Sequence, residues 1–168
     1  MPRPATIAER LQNAGVVIQQ PLQLRSGEIS DYYIDIKQCF GDTELLHELA
    51  AALLQKFDAD ISTIAACGYG GIPLATAASL QTGLPLVLVR DTAKSHGRQN
   101  LIDGYAPTAD DTIAIIDDVF TTGSSIRHTI AALEPTNATI AGCYVVASRG
   151  EAPTDLSLYY LVSAEELL

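Results

Sequence analysis

Blocks of continuous apolar residues alternate along the chain with stretches in which apolar residues recur every three to four positions. The continuous blocks predict buried strands over residues 61–66, 86–89, 112–116 and 140–146. The helical spacing predicts helices over residues 6–14, from Asp42 onward, over 71–82 and over 124–133. Strands that alternate with helices indicate βαβ units, so we expect an α/β fold with a mostly parallel sheet and helices on both faces. Ligands of such sheets bind at the carboxyl ends of the strands, here the turns after Ala66, Val89, Ile116 and Val146.

Local signals refine the first third of the chain. Thr6 followed by Glu9 predicts a capping box, and Gly15 closes the first helix. Residues 22–37 are β-like, with a turn at Ser26 and Gly27. The helix that begins at Asp42 has a predicted apolar face of Leu46, Leu49, Leu53 and Phe57.

The composition limits the classes of partner. The 168 residues contain no repeat and no linker, which predicts a single domain over residues 1–168. Lys and Arg total 10 against 20 Asp and Glu, so the formal net charge is −10. This balance argues against a nucleic acid or an anionic membrane surface as a partner, because both need a basic face. A small anionic substrate remains allowed where the few basic residues converge.

Three further features concern location. Residues 61–89 carry no charge, but the glycines from Gly68 onward and Pro73 interrupt the stretch, so we expect no membrane span. Cys39, Cys67 and Cys143 are too scattered for a disulfide framework or a zinc site, and we expect them to be buried thiols. No signal peptide is visible at the N-terminus, and we therefore expect a cytoplasmic protein.

The turn after Ile116 carries the strongest chemical signal. Asp117 and Asp118 follow a buried strand, and residues 121–125 form a Thr, Ser and Gly loop that opens a helix. The hydroxyls and the free N–H groups of such a helix start suit a phosphate monoester. Two adjacent carboxylates can accept hydrogen bonds from a vicinal diol or hold a magnesium ion. The structural alternative is a capped helix preceded by an acidic turn.

The segment IIDDVFTTGSS, residues 115–125, resembles the 5-phosphoribosyl 1-pyrophosphate (PRPP) motif of the type I phosphoribosyltransferases. The resemblance implies their fold, a mostly parallel sheet flanked by helices with a small N-terminal hood over residues 1–40 and a mobile active-site loop over residues 90–104. It implies that Asp117 and Asp118 hold the ribose hydroxyls and that the loop holds the 5-phosphate. The PRPP contacts implied in this segment are Asp117, Asp118, Val119, Phe120, Thr121, Thr122, Gly123, Ser124 and Ser125.

Two segments resemble the orotate phosphoribosyltransferase family in particular. The segment LRSGEISDYYID, residues 24–35, is similar to the part of that family that lies against the pyrimidine. Ser148 to Glu151 is similar to the place where the family has an arginine before an acidic residue. The orotate contacts implied by the resemblance are Arg25, Tyr32, Tyr33, Thr121 and Arg149. From the residues alone, a plain hairpin remains an alternative for residues 24–35, and a plain surface arginine remains an alternative for Arg149.

The segment CGYGGIPLATA, residues 67–77, resembles the pyrophosphate-binding loop of the same family. The implied PRPP contacts are Tyr69, Gly70 and Gly71, and Gly70 stands where many bacterial members have lysine. The pyrophosphate is therefore expected to rely on backbone donors and on cations from elsewhere. Tight packing of a strand against a helix is the structural alternative.

The segment VRDTAKSHGRQNLIDG, residues 89–104, resembles the family's mobile loop, which closes over the active site of the neighbouring subunit in a homodimer. Arg90, Lys94 and His96 match PRPP-binding positions, while Asp91 replaces a residue that is often basic and Arg98 is a candidate to compensate. The resemblance implies catalytic roles for Lys94 and His96 beside Asp117 and Asp118. A solvated polar loop is the alternative from the residues alone.

The resemblance as a whole implies transfer of the 5-phosphoribosyl group from PRPP to orotate. Mg²⁺ is the implied cofactor, bound mainly through PRPP, with direct contact to Asp117 and Asp118 left open. Two alternatives remain: transfer to another base, and a non-catalytic PRPP-sensing regulator on the same fold. His47 and His128 lie on helix patterns and are assigned no role.

Overall fold

A six-stranded sheet forms the centre of the computed structural model, which describes residues 3–23, 29–58, 60–92 and 101–168. The strands are β1 Val17–Ile18, β2 Leu22–Gln23, β3 Ile29–Ser30, β4 Tyr33–Ile34, β5 Thr63–Cys67, β6 Leu86–Val89, β7 Ile102–Gly104, β8 Thr112–Phe120, β9 Thr139–Ser148 and β10 Leu158–Ser163. The α-helices are α1 Ile7–Asn13, α2 Thr43–Leu54, α3 Gly68–Thr82, α4 Ser124–Leu133 and α5 Ala164–Leu167. Two 3₁₀ helices cover Ile36–Gly41 and Glu134–Thr136.

The strand order is β10-β9-β8-β5-β6-β7, and every pair is parallel except β6 with β7. The predicted mostly parallel sheet is confirmed. Because parallel strands need crossover connections, their carboxyl ends meet at one edge, which is where β5, β6, β8 and β9 deliver their following turns.

Alternate residues of β8 face opposite layers of helices. Ala114 and Ile116 pack in the core that contains α2 and α3, whereas Ile113 and Ile115 pack in the core beneath α4. Successive side chains of a strand point to opposite faces, so Asp117 and Asp118 also diverge, the first toward α4 and the second toward α3.

The capping box of Thr6 and Glu9 is confirmed at the start of α1. Asp42 caps α2, as predicted, by accepting from the N–H groups of Glu44 and Leu45. The predicted apolar face of α2 is partly wrong. Leu45, Leu49, Ala50 and Leu53 are the buried residues of this helix, whereas Leu46 is half-buried and Phe57 lies beyond the helix end.

Two boundaries near the predicted site are wrong. Strand β8 continues to Phe120, because Asp117, Val119 and Phe120 pair with the longer β9, so the two acids lie in a strand and not in a turn. Helix α3 begins at Gly68, three residues before the prediction, so the glycines form its first turn and not a loop.

The strand pairing within residues 22–37 and the structure of residues 102–104 also differ from what was predicted for the hood and the mobile loop. Within residues 22–37, β2 pairs with β3, but β4 pairs with β1 instead of extending that hairpin. Ser26 and Gly27 lie outside the described residues. Residues 102–104 of the predicted loop form β7 on the sheet edge, since Arg90 N–H donates to the Leu101 carbonyl and brings the chain back beside β6. None of the described helices is long and apolar enough to span a membrane.

Candidate active site

A cleft of about 610 Å³ opens at the carboxyl ends of β5 and β8, where the starts of α3 and α4 meet. Polar groups dominate its lining, with three aspartates and one lysine. The lining residues are Tyr33, Lys37, Cys67, Gly68, Tyr69, Gly70, Asp91, Asp117, Asp118, Val119, Ser124, Ser125 and His128. The edge that the sequence predicted for a ligand therefore does carry the cleft.

Asp117 lies on the α4 side of this cleft and is buried. Its Oδ2 accepts a hydrogen bond of 2.7 Å from Ser125 Oγ, and its Oδ1 accepts one of 2.9 Å from the Asp118 N–H. Burial, followed by the neighbouring charge of Asp118, raises the pKa of Asp117 despite these two bonds. The two hydrogen bonds therefore do not offset the cost of burying the Asp117 charge, and additional donors from a ligand would stabilise the charged form.

Asp118 lies on the α3 side and is half-buried. Its Oδ1 accepts from the Val119 N–H at 2.9 Å, and its Oδ2 lies 3.9 Å from Lys37 Nζ. A Cβ built on Gly70 would fall 2.2 Å from the Asp118 carboxyl carbon. The absence of a side chain at Gly70 is what allows this carboxylate to lie against the first turn of α3.

The predicted phosphate loop leads from β8 into α4. Gly123 has φ +75°, which favours glycine, and a Cβ there would be 2.8 Å from the Phe120 ring. No side chain caps the start of α4. Its first N–H groups are therefore available to an anion, beside Ser124 and Ser125 in the cleft.

The start of α3 presents a second set of backbone donors to the same cleft. Gly68, Tyr69 and Gly70 line it, and no side chain caps this helix start either. Tyr69 is 91% exposed, so its ring contributes little to the packing of the fold. Gly71 faces the strand instead, where a Cβ would be 2.7 Å from the Ile116 carbonyl oxygen.

Arg149 and Tyr32, both predicted at the orotate subsite, are in contact. The Arg149 guanidinium lies 4.4 Å from the Tyr32 ring centroid and donates to Ser30 Oγ at 2.7 Å and to the Tyr32 carbonyl at 3.5 Å. A guanidinium has five N–H donors in a planar fork, so these two bonds leave capacity for a carboxylate. The Arg149 N–H donates to the Phe120 carbonyl, which ties this arginine to the end of β8.

The structure brings together only part of the predicted set. The predicted residues that line the cleft are Tyr33, Tyr69, Gly70, Asp117, Asp118, Val119, Ser124 and Ser125. The predicted residues that are described but do not line it are Tyr32, Gly71, Arg90, Phe120, Thr121, Thr122, Gly123 and Arg149. Arg90 is exposed and forms an ion pair with Asp103 on β7. Arg25, Lys94, His96 and Arg98 lie outside the described residues.

Five lining residues lie outside the predicted set: Cys67, Gly68 and Asp91, which belong to segments with a recognised resemblance, and Lys37 and His128, which were missed altogether. Lys37 follows the recognised aromatic segment but sits in a 3₁₀ helix, and nothing local distinguishes it from the other nine Lys and Arg residues of the chain. His128, which was assigned no role, lines the cleft and donates from Nε2 to the Arg90 carbonyl at 2.7 Å. Its position four residues after Ser124, one helical turn along α4, was the available signal.

Burial and hydrogen bonding set the charge state of other lining groups. Burial, then the hydrogen bond to Asp91 at 3.2 Å, raises the pKa of the Cys67 thiol to about 12. Cys67 is therefore a neutral donor to Asp91 and not a nucleophile. Burial opposes the charge of Lys37, but its hydrogen bond to Asp35 and the neighbouring Tyr33 and Asp118 outweigh it and raise its pKa.

The donor set fits a magnesium ion that arrives with phosphates. Mg²⁺ takes oxygen ligands and is usually held by one or two carboxylates together with substrate phosphates and water. Asp117 and Asp118 offer such carboxylates in the cleft. Within the described ranges no three His, Cys, Asp or Glu residues converge on one point, so the chain does not build a closed cage of its own.

A phosphoribosyl transferase domain model matches residues 42–165. The chain is 36% identical over 165 residues to the orotate phosphoribosyltransferase of Methanosarcina acetivorans, which covers 94% of this chain and 88% of that protein. It is 36% identical over 148 residues to the orotate phosphoribosyltransferase of Thermococcus gammatolerans, which covers 86% and 78%. The solved orotate phosphoribosyltransferase of Aeropyrum pernix aligns with a TM-score of 0.81 at 26% identity, over 96% of both chains.

Proposed function

The chain belongs to the orotate phosphoribosyltransferase family, and we propose that it transfers the 5-phosphoribosyl group from PRPP to orotate, giving orotidine 5'-monophosphate and pyrophosphate. Its architecture is the type I phosphoribosyltransferase fold. The observation that carries the proposal is the acidic pair at the end of β8, whose two carboxylates diverge between the uncapped starts of α3 and α4.

PRPP has an anionic group at each end and a diol between them, and the cleft offers a matching order of groups. Ser124, Ser125 and the start of α4 suit the 5-phosphate. Asp117 and Asp118 suit the two ribose hydroxyls. Hydrogen bonds donated by these hydroxyls would also stabilise the buried charge of Asp117. The start of α3 then faces the pyrophosphate.

Orotate carries a carboxylate, and Arg149 offers the complementary group. The guanidinium is fixed by Ser30 and stacked on Tyr32, so its orientation is set before orotate arrives. A pre-oriented planar fork binds a carboxylate through two parallel hydrogen bonds. A neutral purine would leave this arginine without a carboxylate partner, which favours orotate over such bases.

In the proposed reaction the bond from orotate N1 to ribose C1 forms as the bond from C1 to the pyrophosphate oxygen breaks, and the N1 proton of orotate passes to solvent or to the departing pyrophosphate. The residues of the chain bind and align both substrates, which removes most of the entropic cost of bringing them together. Charge develops on the departing pyrophosphate, and fixed donors aimed at it lower the barrier. Lys94 and His96 are proposed to serve this end from residues 90–104, which the family resemblance implies as a loop that closes over the site.

We also propose Mg²⁺ as the cofactor, bound mainly through PRPP and positioned by Asp117 and Asp118. When bound, the ion supplies positive charge that neutralises the pyrophosphate oxygens. The cytoplasmic location expected from the sequence stays a prediction.

The proposal is tested by following orotate absorbance with PRPP and Mg²⁺, in parallel with adenine, guanine, xanthine and uracil. Orotate-selective turnover is expected. Turnover on another base would leave the PRPP site intact but overturn the assignment of Arg149. PRPP binding by calorimetry with no turnover on any base would instead support a PRPP-sensing regulator.

Substitution at Arg149 sharpens the same test. Arg149→Met should raise the KM for orotate by about 10- to 100-fold, because a charge-assisted pair is lost, while PRPP binding stays the same. Arg127 is the matched control, since it is an exposed arginine paired with Asp155 away from the cleft. Arg127→Met should leave both constants unchanged, and an equal effect of both variants would contradict the orotate role.

A homodimer with a shared loop is proposed from the resemblance of residues 89–104. The exposed apolar side chains of Tyr69 and Leu80 on α3, 91% and 82% exposed, are consistent with a surface covered by a partner. Lys94→Ala and Asp118→Asn should each be inactive alone. If the loop acts across subunits, mixing them after subunit exchange should restore about a quarter of the wild-type activity, since half of the dimers then hold one intact site. A loop that serves its own subunit would restore none.

A further inference from the structure

We propose that Lys37 binds the pyrophosphate group of PRPP and supplies positive charge at that end of the cleft from the cleft wall. This inference deepens the proposed function and rests on it. The sequence analysis assigned Lys37 no role, and the proposal comes from its place in the fold.

Charge in the cleft is strongly unbalanced. Of the lining residues in the described part of the chain, Lys37 alone is a lysine or arginine, against the three carboxylates of Asp91, Asp117 and Asp118. PRPP would bring further negative charge into this space. An anion can bind there only if cations offset the repulsion, and Lys37 is positioned to do so from the cleft wall.

The first turn of α3 cannot supply that cation itself. Gly68, Gly70 and Gly71 carry no side chain, and Tyr69 carries a phenol and no cationic group. A side chain at Gly70 would have its Cβ 2.2 Å from the Asp118 carboxyl carbon, and one at Gly71 would have its Cβ 2.7 Å from the Ile116 oxygen. This turn therefore offers backbone N–H groups only, and the charge must come from a neighbouring element.

The neighbouring element is the 3₁₀ helix Ile36–Gly41, which contacts α3 and β8. Buried Ile36 and Cys39 anchor it in the core, while the Lys37 side chain remains 38% exposed toward the cleft. Its Nζ lies 2.5 Å from Asp35 Oδ1, 3.9 Å from Asp118 Oδ2 and 5.9 Å from the Tyr33 ring centroid. The ammonium is thus held beside the carboxylate that itself lies against Gly70.

Asp35 and Asp118 do not occupy all the hydrogen-bond donors of the Lys37 ammonium. An ammonium has three donors, and the 3.9 Å separation from Asp118 is too long for a hydrogen bond. A pyrophosphate at the start of α3 would meet the Lys37 ammonium on one side and backbone N–H groups on the other. Lys37 would then touch the leaving group, which makes it a binding residue for the group that departs.

The test compares two fragments of PRPP by calorimetry on the full chain with Mg²⁺ present: inorganic pyrophosphate and ribose 5-phosphate. Lys37→Met should weaken pyrophosphate binding by about 10- to 100-fold, as expected for loss of a charge-assisted hydrogen bond. Ribose 5-phosphate binding should change by less than about twofold, because the α4 end of the cleft is untouched. The KM for PRPP should rise in proportion to the loss of pyrophosphate affinity.

Three control variants separate binding from structure. Lys56→Met removes an exposed lysine just beyond α2 and should leave both affinities unchanged. Lys37→Arg should recover most of the pyrophosphate affinity, since it restores the charge. Asp35→Asn breaks the ion pair of Lys37 but keeps the lysine, so it should not weaken pyrophosphate binding. Equal losses in Lys37→Met and Asp35→Asn would overturn the proposal in favour of a structural ion pair.

Other outcomes distinguish this inference from the proposed function. Unchanged pyrophosphate affinity in Lys37→Met, with active wild-type enzyme, would overturn the inference alone. Lys37-dependent pyrophosphate binding by a wild-type protein that turns over no base would support the inference while the proposed transfer fails. A parallel loss of both fragment affinities would overturn it, because that pattern indicates a distorted cleft.

Discussion

Asp111 precedes β8 and Asp117 lies near its end, and the two residues expose almost the same small fraction of their surface, 8% and 7%. Their surroundings are opposite. The Asp111 carboxylate accepts five hydrogen bonds, from the hydroxyls of Ser62, Thr63, Tyr105 and Thr108 and from the Thr108 N–H. Asp117 accepts two and faces a second carboxylate.

The difference appears directly in the pKa values. Hydrogen bonds, led by the Thr108 N–H, outweigh desolvation and lower the pKa of Asp111 to about 2. Burial and Asp118 raise that of Asp117. Asp117 lies deeper in the protein, so desolvation acts more strongly on it, and it also has fewer hydrogen-bond donors than Asp111. One end of β8 is therefore satisfied internally, while the other is left to be completed by a ligand, as expected of a binding site.

The largest expected effect comes from neutralising Asp117 and Asp118, the two carboxylates near the end of β8. The double variant Asp117→Asn with Asp118→Asn should lower turnover by about 10³-fold or more, because the groups proposed to fix the ribose are lost. Without substrate the same variant should melt at a higher temperature than the wild type, since the repulsion between two adjacent carboxylates disappears. Steady-state kinetics and calorimetric melting measure the two effects.

Asp110→Asn is the matched control for this variant. Asp110 is exposed beside the satisfied end of β8, and its substitution should change neither turnover nor melting temperature by more than a small amount. A double variant that keeps its activity would remove the acidic pair from the mechanism. A lower melting temperature would mean that the two carboxylates stabilise the fold after all.

The next largest effect distinguishes Gly70, which lies against the Asp118 carboxylate, from Gly71, which lies against the backbone of Ile116. Gly70→Ala would press on the Asp118 carboxylate, whose side chain can move, so turnover should fall by about 10-fold or more while the fold survives. Gly71→Ala would press on the Ile116 backbone, which cannot move, and should destabilise the protein by about 1–3 kcal/mol.

Denaturant unfolding and kinetics on both variants check this division. If Gly70→Ala loses stability and keeps its activity, the contact with Asp118 is a packing feature and not a means of placing the carboxylate. Gly83→Ala, at the far end of α3 with φ +75°, is a control for strain alone, because nothing lies within 4 Å of its Cβ position.

The sequence alone predicted the alternation of strands and helices and the edge where the site lies, because both follow from local periodicity and the rule for parallel sheets. The end of β8 could not be predicted in this way. Asp117 and Asp118 disfavour a strand, and only the pairing with β9 extends it through them. The strand β10, Leu158–Ser163, was missed although its two tyrosines and its valine favour a strand, so a local signal for it was present in the sequence.

The site shows the same limit. Asp117, Ser124 and Ser125 lie within one short segment, so a motif was sufficient to group them. Lys37 reaches Asp118 across about 80 residues of chain, and that contact exists only because the 3₁₀ helix packs beside α3 and β8. No local pattern marks such a residue. Arg149 and Tyr32 were grouped through the family resemblance and not through spacing, and the contact of Arg149 with Ser30 was not predicted.

At the satisfied end, Asp111→Ala should lower the free energy of unfolding by about 1–3 kcal/mol, because buried donors lose their acceptor. The KM values for PRPP and orotate should stay the same, since Asp111 lies at the opposite edge of the sheet from the cleft. Urea unfolding and steady-state kinetics measure the two quantities. A change in KM with no loss of stability would reverse the assignment of the two ends.

The smallest effect is a difference in pH dependence. Because the folded pKa of Asp111 is about 2, its contribution to stability is present above the ordinary carboxyl range and is lost as the pH falls from about 4 toward 2. Asp111→Asn keeps the size of the side chain but does not titrate, so its stability should fall less steeply over that range. Asp117→Asn should act in the opposite sense: the raised pKa costs the wild type stability as the pH rises above about 4, and the variant should lose that dependence. Urea unfolding from pH 2 to 8 would show both slopes, and parallel curves for the two variants would mean that the ends of β8 do not differ in the way their hydrogen bonds indicate.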